Sequence, residues 1–437
     1  METILKPKHQ FQQLKVAHQK HMDRFEIVGG NQLSGEVEIS GAKNAVLPMM
    51  AASMLSSGKT IIENTPNLRD TRTFINLLNI LGVESIFEDS KLTLNTDNIS
   101  FFEAPYDLVK TMRASFYVMG PLLTRFGEAK VSLPGGCAWG PRPVDYHLRG
   151  FEKMGADINL TNGYIYASCK RLKGADIYFE IPSVGATANI LMAATLAEGI
   201  TKITNAAREP HIVQLCEMLN EMGSEINGIG TSDLIIRGVD ELKPINISVI
   251  PDMIEAGTFL MAGAVLGDIK LRNVNPDHLS IVLESLQKAG CKMKAEDSSI
   301  FIKKADEISP VDVATNVHPG FPTDLQAQWI SLMSICKGKA KMVENIYHDR
   351  FSHIPELNRL GANISIDKNI ATINGVTKLI GAEVMSTDIR ASASLVLASL
   401  FAEGKSTISR VYHIDRGYEK IEEKFQKLGA EIKRISN

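Results

Sequence analysis

Apolar and polar positions follow a pattern that recurs six times along the chain. In each copy a helical run ends on a glycine and passes into a short strand, as in LNILGVESI, EKMGADINL, LNEMGSEIN, LQKAGCKMK, LNRLGANIS and FQKLGAEIK. Glycine readily adopts the left-handed backbone conformation that ends a helix, so each run predicts a helix C-terminus. The glycines concerned are Gly82, Gly155, Gly223, Gly290, Gly361 and Gly429.

A second motif lies upstream of the first in every copy. There an apolar helix ends on glycine and leads into a strand rich in β-branched residues. Successive copies are about 70 residues apart. A unit of that length holds two helices and several strands, so six units predict an α/β fold of two domains with three units each. The glycines of this motif are Gly58, Gly127, Gly199, Gly267, Gly338 and Gly404.

Two of the predicted helices are apolar on nearly every face. They are ILMAATLAEG and SASLVLASLFAEG, both rich in Ala and Leu. A helix that is hydrophobic all round is buried rather than laid on a surface. The pattern therefore predicts an arrangement with helices inside and sheets outside.

The composition is that of an ordinary globular protein, with 44% hydrophobic and 22% charged residues among 437. A chain of this length exceeds what one core usually fills, which favours two domains. The net charge of −3 argues against general nucleic-acid binding, which needs a basic face. The sequence contains no run of about 20 apolar residues, so it does not predict a helix that spans a membrane.

The five cysteines are odd in number, widely spaced and without CxxC or Cys/His ligand spacing. This usage disfavours a disulfide framework and a structural zinc site, and it favours a reducing cytoplasm. Residues 1–22 contain Lys and His but no apolar stretch typical of a secretory signal, so we interpret them as a polar N-terminal extension. The cysteines are Cys137, Cys169, Cys216, Cys291 and Cys336.

Four loops that follow the second motif combine arginine with an acidic residue: CAWGPRPVDYH, NAAREPHI, NIYHDRF and RVYHIDRGYE. A scaffold without chemistry would carry varied polar residues at these tips. Arginine's planar fork matches phosphate and carboxylate groups, so tips that converge on one cleft would bind a compact polyanion. The pattern therefore indicates a phosphorylated, carboxylated substrate.

Several single residues could contribute to such a cleft, although each alone could equally be a surface charge or a structural ion pair. Asp324, in FPTDLQAQ, could orient or deprotonate an alcohol, or it could cap the following helix. The turn Ser183 to Gly185 would offer backbone N–H groups at a helix start. The charged and amide candidates are Lys43, Asn44, Arg113, Arg142, Asp145, Arg350, Arg390 and Arg416.

Cys137 lies in SLPGGCAWGPRPVD, between two glycines and two prolines. These residues predict a bent loop that exposes the thiol, and the alternative is a small apolar side chain packed under a turn. The loop is a few residues longer than its counterparts in the other copies. The extra length suits a thiol that reaches across a cleft.

Eight motifs, taken in order, resemble the UDP-N-acetylglucosamine 1-carboxyvinyltransferase family. They are GAKNAVLP, KTMRAS, LPGGCAWGPRPVDYH, PSVGAT, NAAREP, HPGFPTDLQAQ, TDIRASASLVLA and YHIDRGYE, and they extend the match from about residue 23 to the C-terminus. The resemblance implies a two-domain inside-out α/β barrel with the active site between the domains. On this basis we predict a first domain of residues 23–43 plus 251–437, and a second of residues 44–250 that carries the Cys137 loop.

The resemblance also implies an activity. The family transfers the enolpyruvyl group of phosphoenolpyruvate to the 3-hydroxyl of UDP-N-acetylglucosamine and releases phosphate, through a tetrahedral ketal and without a metal or organic cofactor. The reaction is the first committed step of peptidoglycan synthesis and takes place in the cytoplasm. The expected partners are thus the two small-molecule substrates, with no nucleic acid and no membrane insertion.

Individual roles follow from the matching motifs. Cys137 would protonate the methylene carbon, could bond covalently to substrate, and would be the site at which the epoxide fosfomycin reacts. Asp324 would be the base at the sugar hydroxyl. The phosphate and carboxylate would be surrounded by Lys43, Arg142 and Arg416, with help from Arg390. The remaining substrate contacts would be Asn44, Arg113, Pro143, Val144, Asp145, Tyr146, Ser183, Val184, Gly185, Ile346 and Arg350.

Two residues depart from the family pattern, and two other functions stay open. Ile181 stands where some members carry a lysine, and Trp139 occupies a loop position that is more often aliphatic. The related transferase that acts on shikimate 3-phosphate shares the fold and the phosphoenolpyruvate chemistry but lacks the LPGGC loop, so Cys137 argues against it. An inactive nucleotide-sugar-binding paralogue would lack catalytic residues that this sequence contains.

Overall fold

The computed structural model describes residues 23–110, 112–133 and 144–436. The N-terminal extension and four residues named above, Cys137, Trp139, Arg142 and Pro143, lie outside the described residues.

The strands are short, and their buried positions alternate as expected for sheets with one face on a core. In chain order they are Arg24–Val28 (β1), Leu33–Glu38 (β2), Lys59–Glu63 (β3), Glu84–Glu88 (β4), Lys91–Asn95 (β5), Glu103–Ala104 (β6), Glu128–Ser132 (β7), Asp157–Thr161 (β8), Tyr164–Ser168 (β9), Asp176–Tyr178 (β10), Ile200–Thr204 (β11), Glu225–Asn227 (β12), Asp233–Arg237 (β13), Asn246–Ser248 (β14), Gly267–Arg272 (β15), Lys292–Glu296 (β16), Ser299–Lys303 (β17), Val313–Ala314 (β18), Lys339–Val343 (β19), Asn363–Asp367 (β20), Ile370–Asn374 (β21), Glu383–Met385 (β22), Lys405–Ser409 (β23) and Glu431–Ile435 (β24).

The described strands form six sheets of four strands, one for each predicted unit. Every sheet has the same topology, with one parallel pair at an edge followed by two antiparallel pairs. The last sheet is completed by β1, which inserts between β23 and β24 and so ties the start of the chain to its end. The strand orders are β14-β3-β5-β4, β6-β7-β9-β8, β10-β11-β13-β12, β16-β17-β15-β2, β18-β19-β21-β20 and β22-β23-β1-β24.

Helices connect these strands in two sets. The α-helices are Lys43–Ala52 (α1), Arg69–Leu81 (α2), Tyr106–Val109 (α3), Met119–Phe126 (α4), Asp145–Lys153 (α5), Val184–Ala194 (α6), Pro210–Glu221 (α7), Met253–Leu266 (α8), Ser280–Lys288 (α9), Gln326–Met333 (α10), Ile354–Arg359 (α11), Ile389–Phe401 (α12) and Ile421–Lys427 (α13). Short 3-10 helices span Ser53–Leu55, Arg113–Val118, Pro276–Leu279, Thr323–Leu325 and Val411–Arg416.

The helices expected to be buried occupy the interior. In α6, α8 and α12 nearly every residue is buried, so these helices are surrounded by protein on all sides. The amphipathic α2 instead buries one face, as a helix between a core and solvent does. The prediction from ILMAATLAEG and SASLVLASLFAEG is therefore confirmed.

Buried residues in the described part of the chain fall into two clusters. The first core cluster comprises residues 25–39 and 254–432, and the second comprises residues 42–249. The chain crosses between them at two adjacent segments, where Ala42 N donates to Ile250 O at 2.7 Å and Asp252 N donates to Ser40 O at 2.8 Å. The exact domain boundaries stay a prediction.

The six glycines of the first motif all have φ between 90° and 109°, as a helix C-terminus of this kind requires. Gly267, in the second motif, differs, because its φ of 165° is extended. Its neighbour explains the residue type, since a Cβ at Gly267 would lie 1.8 Å from Leu33 O on the paired strand β2. There glycine allows the close approach of two backbones rather than a left-handed turn.

None of the helices within the described ranges is long and apolar enough to cross a membrane.

Candidate active site

The central helices of the second core cluster begin at the same end. In the second core cluster α1 packs beside the 3-10 helix that begins at Arg113, while the far end of α1 continues into a 3-10 helix that contacts α4. Thr124, near the end of α4, donates to Ala193 O near the end of α6 at 2.7 Å, so α4 and α6 also run in parallel. Lys43, Arg113 and Ser183 therefore share one end. Helix N-termini carry partial positive charge, which favours anions there.

Asp324 lies in the turn before α10 and is held by two arginines. Its Oδ1 is 2.9 Å from Arg350 Nη2, and its Oδ2 accepts from Arg390 Nη2 at 2.7 Å. Asn44 Nδ2, from the second core cluster, lies 3.4 Å from the same Oδ2. We call these four residues the Asp324 cluster. Both carboxylate oxygens of Asp324 thus bind side chains. The alternative that Asp324 caps α10 is wrong, because the N-cap residue of α10 is Leu325 and no side chain caps the helix.

The charges around Asp324 decide its protonation. Burial alone would raise the pKa of its carboxyl, but the positive charges of Arg390 and Arg350 lower that pKa well below its usual range. Arg350 and Arg390 are themselves buried, with side chains 9% and 7% exposed. Asp324 is consequently ionised and can accept hydrogen bonds, but with both arginines in place it is a weak base.

A second carboxylate, Asp70, joins Lys43 to Arg416. Asp70 Oδ2 lies 2.7 Å from Lys43 Nζ, and its Oδ1 accepts from Arg416 Nε at 2.8 Å. The Asp70 side chain is only 4% exposed. We call these three residues the Asp70 cluster. Its bonds link the two core clusters, since Asp70 lies in the first turn of α2 whereas Arg416 ends the 3-10 helix after β23.

In the Asp70 cluster, burial and ion pairing also have opposite effects on the pKa values of Lys43 and Asp70. Burial lowers the pKa of Lys43, and Asp70 opposes that effect. For Asp70, burial favours the neutral acid, but Lys43 and Arg416 outweigh it and lower the carboxyl pKa. Arg390 also acts electrostatically on Lys43, so the Asp70 and Asp324 clusters are neighbours.

A buried network supports both clusters. The Tyr418 hydroxyl, two residues after Arg416, contacts Thr258 Oγ1 at 2.9 Å and accepts from Gln328 Nε2 at 3.0 Å. Gln328 Nε2 is also 3.2 Å from the Asp324 carbonyl oxygen. Gln328 therefore binds both the segment that follows Arg416 and the turn that contains Asp324.

The depressed carboxyl pKa values should make the folded protein sensitive to acid. A carboxyl whose pKa is lower in the folded than in the unfolded chain stabilises the fold above its unfolded pKa, and this contribution is lost as the pH falls. We expect the free energy of unfolding to decrease between about pH 5 and about pH 2. The decrease should be smaller in an Asp70→Asn variant, because that variant has no carboxylate at this position to protonate.

Urea unfolding of both proteins across this pH range measures the difference. The comparison isolates Asp70 from the other acids, which are the same in both proteins. Parallel curves would show that Asp70 does not depend on Lys43 and Arg416 for its ionisation.

Other residues predicted to contact substrate form a second group on α5 and α6. Asp145 and Tyr146 begin α5, and Tyr146 packs against Phe179 with ring centroids 5.6 Å apart. Ser183 is the N-cap of α6, and its hydroxyl accepts from Ala186 N at 3.3 Å. The backbone of Val184 and Gly185 opens the helix. No described hydrogen bond or ion pair joins this group to the Asp324 or Asp70 cluster.

The remaining predicted residues lie near these groups. Val144 is buried just before α5, and Arg113 begins a 3-10 helix. Ile346 follows β19, where its N–H donates to Glu344 Oε1 at 2.8 Å. Among the described residues no group of three or more His, Cys, Asp or Glu side chains could hold a metal ion.

Sequence reasoning missed Asp70. The signal was available, because NTPNLRD is the tip of the first repeat and pairs Arg69 with Asp70, as the other tips pair arginine with an acid. The repeat pattern does not predict that Asp70 pairs with Arg416, because the two residues are 346 positions apart in the sequence.

Comparison with known proteins identifies the family of this chain. The family model described as EPSP synthase (3-phosphoshikimate 1-carboxyvinyltransferase) matches residues 27–425. Proteins named UDP-N-acetylglucosamine 1-carboxyvinyltransferase are similar over nearly their whole length. The one from Chloroherpeton thalassium is 54% identical over 417 residues, which are 94% of this chain and 97% of that protein. The one from Myxococcus xanthus is 49% identical over 418 residues, 94% of this chain and 99% of that protein.

Solved structures share the architecture. The enolpyruvyl transferase NikO from Streptomyces tendae superposes with a TM-score of 0.87 at 25% identity, covering 95% of this chain and 100% of that chain. EPSP synthase from Acinetobacter baumannii gives a TM-score of 0.75 at 18% identity, covering 94% and 100%, and supports the fold alone. The predicted fold class, a two-domain inside-out α/β barrel, is confirmed. By sequence identity over nearly its full length, this chain belongs to the UDP-N-acetylglucosamine 1-carboxyvinyltransferase family.

Proposed function

We propose that this protein transfers the enolpyruvyl group of phosphoenolpyruvate to the 3-hydroxyl of UDP-N-acetylglucosamine and releases phosphate, as the first committed step of peptidoglycan synthesis in the cytoplasm. The observation that carries the proposal is the meeting of four cations, Lys43, Arg350, Arg390 and Arg416, around two carboxylates between the core clusters. Such a site suits a substrate that is both phosphorylated and carboxylated. The names of the relatives point to the same reaction.

The two core clusters correspond, in this proposal, to the predicted domains of residues 23–43 plus 251–437 and residues 44–250. The Asp324 cluster then belongs to the first domain except for Asn44, and the Asp70 cluster draws on both. Bonds from Asn44 to Asp324 and from Asp70 to Arg416 cross between domains. Substrate bound here would contact both domains at once, which favours closure of the cleft on binding.

Phosphoenolpyruvate would bind where Asp70 now joins Lys43 to Arg416. The Asp70 carboxylate lies at bonding distance from both cations but carries only one negative charge against their two positive charges. A phosphate or carboxylate of the substrate would take over part of this coordination, with Arg142 and Arg390 in the same anion site. These cations also stabilise the charge that passes to phosphate when the tetrahedral ketal collapses.

Asp324 would accept the proton of the sugar 3-hydroxyl, and Asn44 would hold the sugar beside it. The pKa of Asp324 is low only because Arg350 and Arg390 face it. When an anionic substrate draws one of these arginines to itself, the carboxylate loses part of its stabilisation and becomes a stronger base. Substrate binding would in this way activate the base.

Cys137 would deliver a proton to the methylene carbon from the opposite wall. Addition across the enol double bond requires this proton and a deprotonated oxygen on the other side, so an acid and a base are both needed. A thiol with an ordinary pKa of about 8.5 is mostly protonated at neutral pH and can therefore donate the proton. Nearby arginines would lower that pKa and favour the thiolate, which is the form that bonds covalently to substrate.

The diphosphate and uridine would lie over α6 and α5. Backbone N–H groups of Val184 and Gly185 open α6, and a helix start of this kind binds phosphate. Arg113 and Tyr146 would line the same site. Ile181 is 64% exposed and offers no charge here, so the site relies on backbone donors where a lysine occurs in some members.

Release of inorganic phosphate tests the acceptor. We expect the purified protein to release phosphate from phosphoenolpyruvate only when UDP-N-acetylglucosamine is added. Shikimate 3-phosphate should give no release above background. Release that depends on shikimate 3-phosphate instead would assign the chain to the other reaction, and no release with either acceptor would fit an inactive paralogue.

Fosfomycin tests the role of Cys137. We expect the epoxide to inactivate the enzyme and mass spectrometry to locate one adduct on Cys137, because an exposed thiol in an arginine-lined site is the most reactive of the five. Burial raises the pKa of Cys216 and Cys291, to about 12 and about 11, and so protects them as thiols. A Cys216→Ser variant is the matched control and should be inactivated as fast as the wild type. An adduct on another cysteine would remove Cys137 from the proposed site.

A further inference from the structure

A cavity of about 610 Å³ lies in the second core cluster, away from the Asp324 and Asp70 clusters. It is formed where α4, α6 and the 3-10 helix Ser53–Leu55 end, which is the opposite end of the central helices from Lys43, Arg113 and Ser183. Its size is typical of a site for a small metabolite. The proposed reaction makes no use of it.

Helix C-termini normally repel anions, but here their carbonyl groups are already engaged. Arg125 Nη1 donates to Met54 O and to Ser56 O, each at 2.7 Å, and Thr124 Oγ1 donates to Ala193 O at 2.7 Å. The partial negative charge of the helix ends is therefore offset by side chains within the wall. Both of these Arg125 bonds use Nη1, and the guanidinium also lies 4.9 Å from the centroid of the Phe126 ring. Within the described residues Nε and Nη2 have no acceptor, and Arg125 lines the cavity.

Charge in the lining is mainly positive. Arg125, Lys170, Arg171 and Lys243 line the cavity, against Asp240 and Glu241. Asp240 is paired with Arg171 at 3.0 Å. Within the described ranges no carboxylate forms an ion pair with Arg125, Lys170 or Lys243. Three cations thus face one cavity with a single unpaired carboxylate among them.

Among the cations that line the cavity, Arg125 gives the strongest indication of an anion site. Its side chain is partly buried, and burial lowers the pKa of the guanidinium, with only weak compensation from Asp97. A partly buried cation whose direct partners are neutral carbonyl groups gains from any anion that reaches it.

In the first core cluster, described backbone covers the end of α12. There Gly30 N donates to Leu400 O at 2.8 Å, and a Cβ on Gly29 would lie 2.2 Å from Ala402 O. The backbone of the β1–β2 connection therefore covers the end of α12. At the second cluster, the arginine side chain covers the helix end instead and leaves space beside it.

We propose that this cavity binds a small molecule with phosphate groups that carry at least two negative charges, with Arg125, Lys170 and Lys243 as its ligands. Arg125 contacts the phosphate while it keeps its bonds to the helix ends, and the two lysines close over it from the rim. The ligand is distinct from the substrates of the cleft, which lies at the other end of the same helices.

Calorimetric titration with inorganic pyrophosphate tests the site. We expect wild-type protein to bind one pyrophosphate more than a Lys170→Gln/Lys243→Gln variant, or to bind it at least tenfold more tightly at this site. The double variant keeps Arg125 and its bonds to the helix ends, so it should unfold at the same temperature as the wild type. Lys202→Gln, an exposed lysine on β11 outside the cavity, is the matched control and should bind as the wild type does.

Crystals soaked in tungstate, a heavy analogue of phosphate, locate the site directly. We expect an anomalous peak beside Arg125 that disappears in an Arg125→Gln variant, while any peak in the cleft persists. Equal pyrophosphate binding by wild type and double variant, or no tungstate at Arg125, would overturn the proposal. Both experiments measure binding and not turnover, so their failure would leave the proposed reaction untouched.

Discussion

An Asp324→Asn variant is expected to lose about 10²- to 10⁴-fold in kcat, which is the range for removal of a general base. Asparagine keeps the size of the side chain but cannot accept the proton of the sugar hydroxyl. The change also leaves Arg350 and Arg390 buried without their shared carboxylate. Breaking a buried ion pair by removing one partner costs about 3–5 kcal/mol, so the free energy of unfolding should fall by a comparable amount.

Two measurements separate these effects. Steady-state phosphate release gives kcat at a temperature where the variant is folded, and urea unfolding gives the stability. Asp367→Asn, an exposed carboxylate on β20, is the matched control and should change neither. A variant at Asp324 that is destabilised yet retains most of its kcat would make this carboxylate a structural anchor for the arginines rather than the base.

A Lys43→Gln variant is expected to lose about 10²- to 10³-fold in kcat/KM for phosphoenolpyruvate, the range for loss of one group that stabilises developing charge. The stability should change much less than in the Asp324 variant. Asp70 keeps its bond to Arg416 at 2.8 Å, so no buried carboxylate is left without a cation.

The comparison of Lys43→Gln with Lys59→Gln, an exposed lysine on β3, controls for loss of charge alone. Lys43→Arg tests geometry, because a planar fork in place of a compact ammonium keeps the charge but places its donors differently around Asp70. We expect it to recover part of the lost activity at most. Full activity in Lys43→Gln would remove this residue from the anion site.

Local signals made most of the fold predictable from sequence. The signals are a glycine after a helix, a β-branched strand and an apolar run with no polar face, and each depends on a few neighbouring residues. The two glycine motifs recur six times and predict six units, and each unit corresponds to one four-stranded sheet. Gly267 was the exception, because its residue type depends on Leu33 in a strand far away in sequence. Close approach of two distant backbones leaves no local pattern.

Of the residues in the two clusters, the sequence singled out all except Asp70, and it did not predict how they pair. Their roles in substrate binding stay predictions. Arg350 and Arg416 stood out because arginine recurs with an acidic residue at the repeat tips, whereas the roles of Lys43, Asp324 and Arg390 came from the family resemblance. The bond from Asn44 to Asp324 joins positions 280 apart. Lys43 and Arg416 both pair with Asp70, and the repeat pattern does not show that these three residues meet. Electrostatic partners depend on the folded arrangement, and so does the low pKa of Asp324. Cys137, Arg142 and Pro143 lie outside the described residues, and their roles stay predictions.

The most direct measurement is mass spectrometry and NMR of the sugar nucleotide after incubation with the intact protein and phosphoenolpyruvate. We expect UDP-N-acetylglucosamine to gain one enolpyruvyl group on the 3-hydroxyl, with one phosphate released for each group transferred, and the Asp324→Asn variant to yield little of this product. Unchanged sugar nucleotide, or an enolpyruvyl group on shikimate 3-phosphate instead, would contradict the proposed function.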